Sequence, residues 1–212
     1  RLEFENHLRH LRALVAHAER TWAGDLAAVK KHGVLRVLTR NNAVSYFLLR
    51  GEAAGFDHDL VKRFADQLDV RLQLVVPPSD DDLVPWLLEG RADVIAASFT
   101  VTPERATRVA FSAPYLEVQE LLVQRASEPR LADVAALRGR RIRVRPGSSY
   151  RTTLERLQAA GAQFTLELAP ADQETEDLID DVATGTVDLT VADSHVLQAE
   201  RIWRQDVVGA FP

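Results

Sequence analysis

Two hydroxyls and a guanidinium stand just past an apolar run. Residues 93–97, Asp-Val-Ile-Ala-Ala, read as a buried strand, and Ser98, Thr100, Thr102 and the tripeptide Pro103-Glu104-Arg105 follow it. Proline suits the first turn of a helix, and Thr102 is placed to cap that helix. Ser98, Thr100 and Arg105 therefore gather at the C-terminal end of a strand, which is where ligands sit in open α/β sheets. Arginine presents a planar fork that matches a carboxylate, and hydroxyls add hydrogen bonds to its oxygens. The chemistry this suggests is recognition of a carboxylate. The plain alternative is a capped surface helix with a solvated arginine.

The composition narrows the classes. At 212 residues the chain is one large domain or two small ones, and 46% apolar with 27% charged residues is ordinary for a globular protein. A net charge of −5 carries no basic excess, which argues against a nucleic-acid partner. The basic residues between Arg138 and Arg145 alternate with Ile142 and Val144, as in a strand with one solvated face. With no cysteine there is no disulfide, thiolate nucleophile or cysteine-ligated zinc. No apolar run reaches the length of a membrane span. No signal peptide is visible and the chain starts at Arg1 without Met, so a processed or trimmed chain is expected.

The elements that must position these residues follow in order. Residues 1–22 carry Leu8, Leu11, Val15, Ala18 and Trp22 at helical spacing, predicting an amphipathic helix packed on its own domain. His7, His10 and His17 on it read as surface histidines. Lys30-Lys31-His32-Gly33 closes a helix, and residues 34–39 form the first strand. A helix opens at Gly55-Phe56-Asp57 and runs to Leu68, with Phe56, Leu60, Phe64 and Leu68 on one face. A strand over 70–76 follows. Asp80-Asp81-Asp82 then leads a helix through Glu89, capped by Gly90, and the strand from Asp93 comes next. That alternation implies parallel strands with right-handed crossovers. A crossing strand over 117–125 is broken by Ser127-Glu128-Pro129, and a second α/β unit then begins: helical 131–137, strand 141–145, helix 150–160, strand 164–168, helix 174–184, strand 187–192 and helix 195–203. Residues 207–211 begin one more strand. Because that return has nothing after it, the native protein is expected to continue past Pro212.

These stretches resemble extracytoplasmic solute-binding proteins of family 3, the polar-amino-acid-binding type. The matching segments are Gly55-Phe56-Asp57-His58-Asp59-Leu60, Leu88-Glu89-Gly90-Arg91-Ala92-Asp93, Thr102-Pro103-Glu104-Arg105 with Phe111-Ser112-Ala113-Pro114-Tyr115, Gly147-Ser148-Ser149, and Gly185-Thr186-Val187-Asp188 leading to Asp193. The resemblance implies a two-lobed α/β fold of the type II periplasmic-binding-protein kind. Each lobe is a mainly parallel sheet flanked by helices, and the ligand cleft lies between the lobes. The division expected is an amino-terminal helical segment over 1–32, lobe 1 over 33–120, lobe 2 over 121–205, and a return toward lobe 1 over 206–212.

The resemblance also implies roles for single residues. Arg105 would pair with the ligand's α-carboxylate, and Ser98 and Thr100 would add contacts from the same lobe. Ser149, next to Ser148 at a helix N-terminus, would donate from the second lobe. Asp193 would accept from the α-ammonium. Such a set matches the two charges of a zwitterion, and no cofactor or metal is implied. The alternative for Asp193 and Ser149 is that each simply caps its own helix.

The segment 34–42, with Tyr46 and Phe47 after it, is also similar to the amino-terminal domain of membrane-bound lytic transglycosylases of type F. That resemblance implies a non-catalytic sensing module for an amino acid or cell-wall peptide. It would be periplasmic, joined to a C-terminal transglycosylase domain, and possessed of an outer-membrane anchor in the full-length protein. Arg40, at the end of the first strand, would favour a ligand with an additional carboxylate, and Tyr46 and Ser148 are further candidate ligand contacts. Alternatively Arg40 turns to solvent or pairs with Asp57 or Asp59. The competing classes are an amino-acid receptor of an ABC importer, a scaffold without ligand, and an enzyme. For the last, Asp57/Asp59 and Asp180/Asp181 are the paired carboxylates, and they read as solvated helix residues.

Overall fold

The structure is a computed structural model that describes residues 21–212. The amphipathic stripe expected over 1–22, with His7, His10 and His17, lies outside the described residues except for Trp22, which is in non-helical chain. The chain divides into two units, one running to Val109 and the other from Ala110 to Pro212.

In the first unit, α1 (Leu26–His32) is capped by Asp25, whose carboxyl accepts from the Ala28 N–H at 3.0 Å, and it ends at Gly33. Then come β1 (Val34–Leu38), β2 (Phe47–Leu49), β3 (Glu52–Ala54), α2 (Phe56–Leu68), β4 (Arg71–Val75), a 3₁₀ turn over Asp80–Asp82, α3 (Leu83–Leu88), β5 (Val94–Ile95) and α4 (Pro103–Ala106). The sheet order is β4-β1-β5, all parallel. The chain runs from β1 to β4 through α2 and then back past β1 to β5 through α3, and these helices cover opposite faces. One face buries Leu35, Val37 and Leu74 against Val29, Val61 and Ala65, and the other buries Leu38 and Val75 against Leu83 and Ala92. The β2–β3 hairpin was not foreseen from sequence. Its two-residue turn is Arg50-Gly51, both with positive φ (54° and 87°), which suits the twist of paired strands.

Two expectations for α2 are corrected. Its buried face is Asp57, Val61 and Ala65, whereas Phe56, Leu60 and Phe64 are 51%, 39% and 42% exposed. The helix start explains the rotation. Phe56 and His58 donate backbone N–H groups to the carbonyls of Val44 and Ser45. Gly55 has φ of 132°, and a Cβ there would stand 2.4 Å from the Ser45 oxygen, so only glycine allows this approach. Asp57 is consequently not a solvated helix residue but fully buried.

β1 also carries Arg36, only 2% exposed. Its guanidinium donates to Asp93 at 2.8 Å, to the Gly90 carbonyl at 2.7 Å and to the Trp22 carbonyl at 2.8 Å, and it stacks on the Trp22 ring at 3.9 Å. A buried charge is tolerable when its donors are used this fully.

The second unit contains β6 (Glu120–Arg125), a 3₁₀ turn over Val134–Leu137, β7 (Arg141–Val144), α5 (Ser149–Ala159), β8 (Thr165–Leu168), α6 (Thr175–Thr184), β9 (Thr190–Asp193), α7 (Ser194–Glu200) and β10 (Val207–Gly209). β7 pairs with β8 in parallel, and a parallel bridge joins Ile142 to Leu189 just before β9. β6 lies antiparallel between β9 and β10. The strands thus run mainly one way, with β6 against them. Leu122, Ile142, Val144, Tyr150, Leu154 and Leu189 fill the core.

The two units meet at Val109/Ala110, and residues 206–212 lie in the second unit. There β6 is paired with β9 on one side, while Leu122 and Ala126 donate to the carbonyls of Phe211 and Asp206 on the other. The basic strand is neutralised locally. Arg143 pairs with Glu167 at 2.8 Å and with Asp181, Arg141 with Asp188, and Arg145 with Glu174 at 3.0 Å. Asp181 is therefore not solvated but ion-paired.

Candidate functional site

At the C-terminal edge of β5 the chain enters an irregular stretch. Ser98 has φ of 47°, the left-handed region. Asp57 holds it there: Oδ2 accepts from the Ser98 backbone N–H at 2.6 Å and from its Oγ at 3.0 Å. Two residues on, the Thr100 carbonyl accepts from the Arg105 guanidinium at 2.8 Å. The same guanidinium lies 3.8 Å from the centre of the Phe99 ring. The helix under it forms as the sequence predicts, with Pro103 in the first turn and the Thr102 hydroxyl accepting from the Arg105 N–H at 3.2 Å. Ser98, Phe99, Thr100 and Arg105 thus form one half-buried constellation on a single loop and helix start.

Arg40 and Tyr46 are not part of it. Arg40 is 4% exposed, donates to the Pro77 carbonyl at 2.9 Å and pairs with Asp80 at 2.9 Å. Asp80 was not among the partners weighed from sequence. Asp80 opens the 3₁₀ turn before α3, so the ion pair fastens the end of β1 to that turn. Tyr46 is a core residue, 3% exposed and packed with Val61 and Leu74, and burial raises the pKa of its hydroxyl.

In the second unit, Ser148, Ser149 and Asp193 are all buried. Ser148 precedes α5 but makes no side-chain capping bond; its hydroxyl donates to the Arg145 carbonyl at 2.8 Å. The Ser149 hydroxyl donates to Glu120 at 2.7 Å. Asp193 precedes α7 and likewise makes no side-chain capping bond. The simple cap is therefore not what this aspartate does. Its backbone N–H donates to the Tyr150 hydroxyl at 3.0 Å, and its Oδ1 is buried without a hydrogen-bond partner.

The strand register puts Asp193 directly opposite Glu120. Opposed residues on neighbouring strands project to the same face, so two carboxyls stand side by side. Burial, and then the charge of Glu120, push the Asp193 carboxyl up to about 6, with Tyr150 and Arg145 opposing. Burial also raises the Tyr150 hydroxyl, helped by the charge of Asp193. An ionised Asp193 lacks a full counter-charge, and an ammonium would supply one.

Sequence reasoning missed Asp57, Phe99, Glu120 and Tyr150. For Asp57 the available signal was its place directly after Gly55-Phe56; for Glu120 nothing short of strand register would reveal it. Among the described residues, no group of three or more histidine, aspartate or glutamate side chains could hold a metal ion, and no helix is long and apolar enough to cross a membrane.

Comparison with known proteins agrees with this architecture. The family of bacterial extracellular solute-binding proteins, family 3, matches residues 35–157. A membrane-bound lytic murein transglycosylase F from Desulfosudis oleivorans is 40% identical over 184 residues, covering 87% of this chain and 40% of that protein. One from Pseudomonas putida is 37% identical over 187 residues, covering 88% of this chain and 38% of that protein. The chain therefore spans about two fifths of the length of these curated relatives. Among solved structures, holo ArgBP from T. maritima superposes with a TM-score of 0.76 at 27% identity, covering 87% of this chain and 79% of that one. An amino acid ABC transporter substrate-binding protein from Streptococcus pneumoniae, bound to L-arginine, gives 0.75 at 26% identity, covering 87% and 77%.

Proposed function

The chain belongs to family 3 of the bacterial extracellular solute-binding proteins, and from that membership we propose that it is a ligand-binding module for an amino acid or a small cell-wall peptide. The observation that carries this reading is Asp193: a buried carboxyl, uncommitted to its helix, with an oxygen that accepts no hydrogen bond. An α-ammonium fits it. Arg105, seated on Phe99 with Ser98 and Thr100 beside it, is the complementary group for an α-carboxylate.

The names of the relatives support a finer reading. The module acts in the periplasm, is itself non-catalytic, and controls a peptidoglycan lytic transglycosylase domain in the whole protein. A second reading, the amino-acid receptor of an ABC importer, is favoured by the likeness to the arginine-bound transporter protein of Streptococcus pneumoniae.

Thermal melting distinguishes these. A ligand that binds only the folded protein raises the midpoint with its concentration, by an amount set by RT ln(1 + [L]/Kd). We expect muropeptide fragments to raise it and Arg105→Ala to abolish the rise. A rise with one free amino acid alone supports the importer reading. No rise with either class overturns the ligand-binding reading.

A further inference from the structure

Asp57 is fully buried in the first turn of α2, and the ligand reading leaves it without a role. Its carboxyl reaches 41 residues along the chain to accept both the N–H and the hydroxyl of Ser98. Ser98 needs an outside cause for its conformation. The other non-glycine residues described with positive φ, Arg50 and Asp69, sit in a hairpin turn and at a helix C-cap, where that conformation is routine. Ser98 is in neither. An L-residue in the left-handed region is disfavoured by about tenfold or more unless something local compensates.

We propose that Asp57 is a positioning residue for the ligand carboxylate site, holding Ser98 left-handed so that Phe99 and Thr100 present a seat to Arg105. The inference rests on the reading of Ser98, Thr100 and Arg105 as ligand contacts. Asp57 is well placed to impose the turn. Backbone bonds from Phe56 and His58 to Val44 and Ser45 fix the start of its helix, and Gly55 allows that start to abut Ser45. Ser98 in turn sets the direction in which the chain leaves β5. Phe99 and the Thr100 carbonyl then meet the guanidinium at 3.8 Å and 2.8 Å. A purely structural role, such as a negative charge in the first turn of a helix, would stabilise α2 without regard to the residue at position 98.

Glycine separates the two roles, because it adopts positive φ without help. The experiment compares L-arginine binding by calorimetry, and the melting midpoint, across wild type, Asp57→Ala, Ser98→Gly and the double variant. Asp57→Asn is added as a milder change that keeps one acceptor. We expect Asp57→Ala to bind about tenfold more weakly, Asp57→Asn to lie between, and the double variant to return to within about threefold of Ser98→Gly alone. A double variant whose loss equals the sum of the two single losses overturns the proposal. So does an Asp57→Ala protein without ligand in which the HN–Hα coupling and 13C shifts of residue 98 stay those of a left-handed residue. That ligand-free measurement decides the positioning role even if wild type fails to bind L-arginine; the ligand reading itself falls only if muropeptide fragments also fail to bind.

Discussion

Arg105 in the first unit and Asp193 in the second are the two charges on which the ligand reading depends, and their surroundings are built differently. Arg105 already has a seat: the Phe99 ring beneath it, the Thr100 carbonyl accepting from it, and a helix start capped by Thr102. Arg40, the other cation near that edge, is closed into an ion pair with Asp80. Asp193 is buried opposite a second carboxyl, with one oxygen accepting nothing. The contrast teaches that the cationic side is held by contacts within its own loop, whereas the acidic side carries an electrostatic debt that a cation would relieve. Pre-organised donors bind without reorganisation, and an uncompensated buried carboxyl binds by losing a penalty.

The contrast breaks first at Arg40. Arg40→Ala leaves Asp80 beside an emptied site. It should destabilise the protein by about 3–5 kcal/mol, read from urea unfolding, because half of a buried pair is worse than none. Affinities for acidic and neutral ligands should change equally. A selective loss of acidic ligands would instead make Arg40 a specificity residue.

Asp193→Asn sharpens the other side. Burial and the charge of Glu120 push the Asp193 carboxyl in the folded protein up to about 6, above the ~3.9 of an ordinary aspartate. Between those values the folded state binds more protons than the unfolded one. The stability linked to this group is therefore full below the lower value and is lost as pH rises through the upper one. At pH 8, Asp193→Asn should thus be more stable than wild type by about 3 kcal/mol, and at pH 3 the two should match. Unfolding midpoints across that range check this; equal stability at pH 8 would mean that Asp193 has a counter-charge after all.

Much of the architecture was legible beforehand, because it follows from local rules. The alternation of strands and helices, the glycine at the end of α1, and the Thr102-Pro103 helix start each depend on neighbours in sequence. The residues that were misread depend on distant partners. Asp57 and Asp181 look like solvated helix carboxylates until Ser98 and Arg143 meet them across the fold. Phe56, Leu60 and Phe64 have ideal helical spacing, yet the backbone bonds of Phe56 and His58 rotate that stripe outward. Ser149 is bound to Glu120, a partner 29 residues away that no local pattern encodes. The place of Arg105 and Asp193 at strand ends was visible; the difference in their satisfaction was not.

The most direct test of the account is the pH dependence of ligand affinity, followed by calorimetry from pH 4.5 to 8 with wild type and Asp193→Asn. If Asp193 receives the ligand's ammonium, wild-type affinity rises with pH and levels off above about 6, and the variant binds far more weakly with a flat profile. An Asp193→Asn protein that keeps wild-type affinity and the same pH profile would contradict it.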